Sequence, residues 1–146
     1  MNIEFREFIG QYDWVWVNQQ VGINQAGDTS GIMAIDLDKN ETVGACIMDN
    51  WTQNSVQCHF MLTSPLVLKH KFLECCFNFM FVESNVAKIY GLVPADNLKA
   101  VKINKHMGFT VKARLEEAYE VGVDYLLMEL KRENCKYVET KLDKAA

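Results

Sequence analysis

The sequence predicts a single α+β domain, in which one mixed and mostly antiparallel sheet carries helices on both of its faces. Three observations lead to this fold class. Three strand-like segments follow one another in the middle of the chain with short polar turns between them, as in an antiparallel meander. A helical segment then leads to a further strand, and such a unit makes a right-handed crossover with a parallel strand pair. A second helix and two more strands complete the domain.

The first thirty residues have the least regular pattern. Residues 3–8 alternate roughly between polar and apolar side chains and predict a first strand. Residues 11–20 fit either a strand or a helix, and we favour a short helix because Tyr12 and Trp16 are spaced four apart. Residues 22–30 are polar and predict a loop.

The central strands are better defined. Residues 31–37 and 42–48 are rich in apolar side chains, and the polar turn between them predicts a hairpin. Residues 55–63 alternate throughout, as expected for a strand with two different faces. One face of this third strand carries Val56, Cys58, Phe60 and Leu62, and the other carries Gln57, His59, Met61 and Thr63.

The second half of the chain continues with helical and strand patterns in turn. A polar stripe at every fourth residue, opposite an apolar face, predicts one continuous helix over residues 66–83. Strands are predicted over 87–93, 110–117 and 123–131, with a helix between the first two. We therefore expect one domain over residues 1–132, followed by a polar and loosely held tail over 133–146.

Composition narrows the classes of protein that the chain can belong to. The 146 residues are 49% hydrophobic and 23% charged, which suits one globular domain with a sizeable core. The N-terminus lacks a signal-peptide pattern, and no apolar run is long enough for a membrane span, so we expect a cytoplasmic protein without a membrane partner. The five cysteines form no C-x-x-C pair and no metal-ligand spacing, which predicts core thiols and no metal site.

Charge is distributed unevenly along the chain. The formal net charge is −4, yet residues 66–108 carry six lysines against three acids, a local balance of +3. The pattern suggests a local site for a polyanion, although lysines on exposed helix faces explain it equally well. General nucleic-acid binding is disfavoured, because the chain is acidic overall and has no stripe of interleaved basic and aromatic residues.

The most informative segment is the predicted helix that follows residue 93. Asn97, Ala100 and Asn104 share one helix face, where small and amide side chains allow another molecule to approach closely. Asp96 or Asn97 can cap this helix, and Gly108 is the expected left-handed residue after its end. Spacing alone also fits an ordinary, well-capped surface helix.

The element order and this segment together resemble the GNAT superfamily of N-acetyltransferases. The segment reads V-x-x-x-N-x-x-A-x-x-x-x-x-x-x-G-F from Val93 to Phe109, and the V-D-Y-L-L-M-E-L strand over 123–130 looks like the usual last strand of that family. The resemblance extends from about residue 31 to residue 130 and is weak before it. The chain looks most like small, divergent members encoded by bacteriophages, which would place it in the host cytoplasm.

The resemblance implies that acetyl-CoA is the co-substrate. In this family the strand before the central helix diverges from its parallel neighbour, and the pantetheine arm pairs with the exposed backbone at that strand's end, here residues 61–63. Backbone amides near Leu62 and Thr63 would polarise the thioester carbonyl. The pyrophosphate lies at the N-terminus of the central helix. The cofactor-binding residues implied in this way are Met61, Leu62, Thr63, Lys69, His70, Lys71, Phe72, Asn97 and Ala100.

The chain departs from the family pattern at two places. The phosphate loop usually contains glycines, which let backbone amides approach a phosphate, and residues 68–73 contain none. Asn104 replaces the frequent tyrosine that protonates the departing thiolate, and an asparagine donates hydrogen bonds but is not a general acid. His59 is the best candidate for the base, although a single histidine is often without catalytic duty. Tyr119 and Tyr125 are weaker candidates for an acid.

These observations favour an N-acetyltransferase in which a primary amine attacks acetyl-CoA directly in a ternary complex, with His59 and Asn104 as the catalytic candidates. The acceptor amine, on a protein or a small molecule, is not defined by the sequence, and a homodimer is left open. The alternative is a catalytically silent phage protein of the same fold, which acts in particle assembly or binds a host protein. The missing glycines and tyrosine favour that alternative.

Overall fold

The computed structural model describes residues 2–20 and 23–139. The first half of the chain contains β1 (Ile3–Glu7), α1 (Gly10–Gln20), β2 (Ser30–Asp36), β3 (Glu41–Asp49) and β4 (Ser55–Leu62). A helical segment follows, made of a 3-10 helix (Pro65–His70), α2 (Phe72–Phe77) and a π-helical turn (Asn78–Glu83). The second half contains β5 (Lys88–Pro94), α3 (Leu98–Met107), β6 (Thr110–Glu120), β7 (Val123–Lys131) and a 3-10 turn (Arg132–Asn134).

The seven strands form one sheet in the order β1-β2-β3-β4-β5-β7-β6. Neighbouring strands are antiparallel except for β4 and β5, which are parallel because the helical segment connects them by a crossover. The predicted fold class is therefore confirmed, as is the short helix over residues 11–20. The predicted loop over 22–30 begins outside the described residues.

Each face of the sheet has its own core. The larger core lies under α2 and α3 and includes the fully buried rings of Phe72, Phe77 and Phe81. The smaller core lies under α1 and joins Val17 to Met61 of β4. The alternation of β4 produces this division, since successive side chains point to opposite faces. Burial of each such side chain stabilises the fold by about 1.5–3 kcal/mol, so the two cores fix β4 in position from both sides.

The helix predicted over 66–83 is divided in the structure. Lys71 has φ 64° and ψ 32°, in the left-handed region, and therefore ends the 3-10 helix before α2 begins at Phe72. Ser64 caps the 3-10 helix by accepting a hydrogen bond from the Leu66 N–H at 3.2 Å. The periodic pattern did not reveal this break, because lysine is an unusual residue at a left-handed position.

The first residues of the predicted tail pack on the larger core, contrary to the expectation that they are loosely held. Cys135 is 5% exposed, and the Tyr137 ring stacks on Phe77 with 5.3 Å between ring centroids. Residues 140–146 lie outside the described part, and the domain boundary at 132 stays a prediction. No helix in the described ranges has the length and apolar character required to cross a bilayer.

Candidate active site at the divergence of two parallel strands

The parallel pair β4–β5 is short, and its end creates a gap in the sheet. The two strands pair only from Ser55 with Lys88 to Gln57 with Tyr90. Beyond this point β4 stays bonded to β3, and β5 stays bonded to β7, so the strands separate while each keeps its outer neighbour. Backbone groups that face the gap have no strand partner among the described residues, and they are available to a ligand in extended conformation.

The antiparallel register of β3 and β4 decides which backbone groups face the gap. The Thr63 N–H donates to the Val43 carbonyl at 3.0 Å, and the Thr63 hydroxyl donates to the same oxygen at 3.0 Å. Because hydrogen-bonding directions alternate along a strand, the backbone of Leu62 and Phe60 points towards the gap. Thr63 therefore cannot offer its N–H to a ligand, contrary to the expectation that amides at both Leu62 and Thr63 polarise a carbonyl.

A cavity of about 180 Å³ lies in this gap on the α3 side of the sheet. We call it the helix-side cavity. It brings together four of the predicted site residues from two different elements, which sequence spacing alone could not establish. Its lining includes His59 and Phe60 from β4, Gly91 from β5, and Asn97, Ala100 and Asn104 from α3.

Local hydrogen bonds hold α3 against this cavity. The Asn97 side chain caps the helix by accepting the Ala100 N–H at 3.2 Å, and Gly108 ends it with φ 111°. The predicted caps at both ends are confirmed. Asn104 is half-buried, and its Nδ2 donates to the Met128 sulfur at 3.7 Å, which fixes the amide at the cavity wall.

A second cavity, of about 360 Å³, opens on the opposite side of the sheet, beside the β6–β7 hairpin. We call it the hairpin-side cavity. His59, Leu92, Pro94 and Asn97 line both cavities, so the two meet through the gap between the strands. Tyr119 and Tyr125, the weaker acid candidates, lie on the hairpin side only. The two cavities are therefore neighbours that share these four residues.

His59 lies at this meeting point and has an acidic partner that the sequence did not reveal. Its Nε2 is 3.4 Å from Oδ2 of Asp49, and the two side chains are 18% and 11% exposed. Asp49 Oδ1 has no hydrogen-bond partner among the described residues. Asp49 ends β3, and only the register of β3 and β4 brings it beside His59.

A second polar cluster lies on the same face of the sheet, next to Gln57. The Tyr90 hydroxyl donates to Oε2 of Glu129 at 2.8 Å, and Lys88 and Lys112 lie 3.8 and 3.9 Å from that carboxylate. The hydrogen bond from Tyr90, and then the lysine charges, hold the pKa of Glu129 below its usual value. The same hydrogen bond raises the pKa of Tyr90. Sequence patterns gave no sign of this cluster, because its members come from three strands.

An apolar groove of about 250 Å³ continues from the helix-side cavity along α3. It shares Phe60 with that cavity and extends past Leu62 and Ile103 to Leu68 and Leu73, on either side of the turn at 69–72. In this turn Lys69, His70 and Lys71 are exposed, whereas the Phe72 side chain is fully buried. Phe72 as a whole residue is 0% exposed, so contrary to expectation neither its side chain nor its backbone is accessible to a ligand. The Met61 side chain is buried in the core under α1 and does not face the gap.

The sheet order, and the divergence of β4 from its parallel neighbour, are those of the GNAT fold. The chain is similar in fold to spermidine/spermine N-acetyltransferase SpeG from Vibrio cholerae, whose mutant forms superpose with a TM-score of 0.75 over 99% of this chain and 100% of that one at 14% identity. A SpeG complex with CoA and spermine gives a TM-score of 0.73 over 94% and 98% of the two chains at 13% identity. Another SpeG mutant form gives 0.76 over 95% and 98% at 15% identity.

At these identities the likeness establishes the fold. No protein-family model matches the sequence, and no curated protein matches it. These neighbours are bacterial enzymes and lend no support to the resemblance to bacteriophage members, which stays a prediction. Within the described ranges no three side chains of His, Cys, Asp or Glu are grouped so that they could hold a metal ion.

Proposed function

We propose that this protein is an acetyl-CoA-dependent N-acetyltransferase that acetylates a primary amine by direct attack in a ternary complex. The observation that carries the proposal is the pair of cavities that meet at His59 through the gap between β4 and β5. Two substrates can approach each other there from opposite faces of the sheet. The GNAT fold and the CoA complex of a structural neighbour support the same assignment.

The helix-side cavity and the apolar groove together offer a continuous path for the cofactor. The pantetheine arm would pair with the backbone of Phe60 and Leu62, because these groups face the gap. Asn97 uses its Oδ1 for the helix cap, which leaves its Nδ2 as the donor for a pantetheine carbonyl. Ala100 carries only a methyl group and allows the arm to pass close to α3.

The pyrophosphate would lie at the turn over residues 69–72. Lys69, His70 and Lys71 are exposed there and supply positive charge. Lys71 takes the left-handed conformation that glycine adopts most readily, so a charged side chain stands at a backbone position where glycine is more usual.

His59 would remove the amine proton, with Asp49 as its positioning residue. The amine nitrogen forms a bond to the acetyl carbonyl carbon, the carbon–sulfur bond breaks, and CoA leaves as the thiolate. Because Nε2 of His59 faces Asp49, the proton passes to Nδ1, and the buried Asp49 carboxylate stabilises the imidazolium that results. Asn104 supplies a hydrogen bond and no proton, so the thiolate takes its proton from solvent.

Release of free CoA thiol, followed with a thiol reagent, tests the proposal when the purified protein is mixed with acetyl-CoA and a panel of primary amines. We expect amine-dependent release that His59→Gln lowers at least tenfold, while calorimetry shows unchanged acetyl-CoA affinity. A protein that binds acetyl-CoA and never releases thiol would be the catalytically silent alternative. Absence of both binding and release at millimolar acetyl-CoA would refute the cofactor assignment itself.

A further inference from the structure

The hairpin-side cavity has an unusual lining for a site that receives an amine. Nine described residues line it, and none of them is Asp, Glu, Lys or Arg. The polar groups are the amides of Gln20, Gln57 and Asn97, together with His59. A linear polyamine carries several ammonium groups, and each one that enters a cavity must exchange its water for a charged or strongly polar partner. This lining offers no carboxylate for that purpose.

Two carboxylates of the β6–β7 hairpin are already engaged. Asp124, on β7, accepts a hydrogen bond from Arg114 at 2.6 Å and from the Glu117 N–H at 2.9 Å. The Glu117 carboxylate in turn accepts the Gly122 N–H at 2.7 Å. Asp124 and Glu117 are therefore committed to partners within the hairpin, and Asp49 is turned towards His59.

A charge cluster on the sheet beside the cavity has its carboxylate fully engaged. Tyr90 is the register neighbour of Gln57, and its hydroxyl donates to Glu129, the single carboxylate of the cluster. Lys88 and Lys112 both lie next to this carboxylate. The cluster therefore offers no free acceptor to a second ammonium group of a bound amine.

Aromatic rings form the remaining wall. Tyr119 and Tyr125 lie edge to face, with 5.2 Å between ring centroids and 72° between ring planes. Leu92 and Pro94 of β5 add an apolar surface to the cavity. A ring from a ligand can add to such an aromatic pair with favourable offset or edge geometry. The cavity volume of about 360 Å³ equals that of roughly twelve water molecules at about 30 Å³ each, which suits a compact ligand.

We infer that the acceptor is a compact primary amine with an aromatic body and no second positive charge, and that linear polyamines are poor acceptors. The inference rests on the proposed function, because it names the acceptor class of that site. The neutral nitrogen of this amine attacks the thioester, its proton passes to His59, and the ring lies against Tyr119 and Tyr125 while CoA thiolate departs.

Three probe amines test the acceptor class in the thiol-release assay. 2-Phenylethylamine and 2-cyclohexylethylamine have the same number of non-hydrogen atoms and differ in aromaticity, and spermidine is of similar size with additional charge. We expect kcat/KM for the phenyl compound to exceed that of the cyclohexyl compound about three- to tenfold, as aromatic pairing predicts, and that of spermidine by more. Tyr119→Leu should remove the phenyl preference, whereas Tyr12→Leu, at a tyrosine exposed on α1 outside both cavities, should keep it.

Equal rates for the phenyl and cyclohexyl amines, or a higher rate for spermidine, would overturn the inference. Its failure can be separated from failure of the proposed function by saturation-transfer NMR on the protein with 2-phenylethylamine alone. Suppose that no amine releases thiol, but that magnetisation is transferred from the protein to the phenyl ring and Tyr119→Leu abolishes this transfer. This result would still support the aromatic site and would refute only the acetylation reaction. No transfer, or transfer unchanged by that substitution, would refute the aromatic site.

Discussion

Gly91 lines the helix-side cavity, and its replacement by leucine tests whether the cofactor binds there. A Cβ at this position would lie 3.9 Å from the Cys58 carbonyl oxygen and 4.0 Å from Asn104 Nδ2, which are ordinary contacts. Its backbone does not require a glycine conformation, since only Gly108 and Gly122 among the described glycines have positive φ. A larger side chain would therefore extend into the cavity without backbone strain.

The expected loss of acetyl-CoA affinity follows from the volume that the leucine side chain would occupy. Leucine adds four carbons, and at about 30 Å³ each they would fill roughly two thirds of the cavity, whose volume is about 180 Å³. A pantetheine arm displaced from the gap loses two or more hydrogen bonds to β4, a cost of about 2–3 kcal/mol. Calorimetry with acetyl-CoA should then show Gly91→Leu binding about 30- to 150-fold more weakly than the unmodified protein.

Gly91→Ala is the matched control. One methyl group makes only ordinary contacts and restricts the unfolded chain, so this variant should keep its affinity within about threefold and gain roughly 0.5 kcal/mol in unfolding free energy. Thermal unfolding of both variants checks that they fold. A folded Gly91→Leu protein that binds acetyl-CoA as tightly as Gly91→Ala does would show that the cofactor does not bind in the helix-side cavity.

Three further substitutions test other parts of the site. Asp49→Asn should lower kcat/KM about tenfold or more, because it removes a charged partner of His59 that is worth about 1.5–3 kcal/mol. Steady-state kinetics measures this loss, and calorimetry should show unchanged acetyl-CoA affinity. An unchanged kcat/KM would exclude the positioning role of Asp49. Asn97→Ala should lower unfolding free energy by about 1 kcal/mol because α3 loses its cap, whereas Asn97→Asp should keep it; equal melting temperatures of both variants would contradict the cap. The pKa of Glu129 lies below its usual 4.5, so its contribution to stability is complete above that pH and is lost as the pH falls through the lowered pKa. Denaturant unfolding between about pH 5 and pH 3 should therefore show a smaller loss of unfolding free energy for Glu129→Gln than for the unmodified protein. Equal losses in the two proteins would contradict the pairing of Glu129 with Tyr90 and the lysines.

The parts of the fold that sequence patterns predicted are those governed by local periodicity and capping. The alternation of residues 55–63 and the caps of α3 were correct because each depends on residues close in sequence. The division of the helical segment at Lys71 was missed, since one left-handed residue leaves no trace in apolar spacing. The packing of Tyr137 on Phe77 was missed for another reason, because these residues are 60 positions apart.

The candidate site was predictable only through resemblance to a family. The side chains that contact the site residues were not predictable from the sequence at all. Sequence patterns identified His59, but Asp49 becomes its neighbour only once the register of β3 and β4 is known. The same holds for Tyr90 and Glu129, which the sheet joins across β5 and β7. The free backbone of Leu62, and the bonded N–H of Thr63, also depend on that register, because hydrogen-bonding direction alternates residue by residue.

A crystal structure of the protein with acetyl-CoA would show whether a cofactor enters the sheet where β4 and β5 separate. We expect a pantetheine arm hydrogen-bonded to the backbone of Phe60 and Leu62, beside Gly91 and Asn97, with the thioester next to the hairpin-side cavity. A gap that stays empty at millimolar acetyl-CoA, or a cofactor bound elsewhere on the molecule, would rule out this cofactor site.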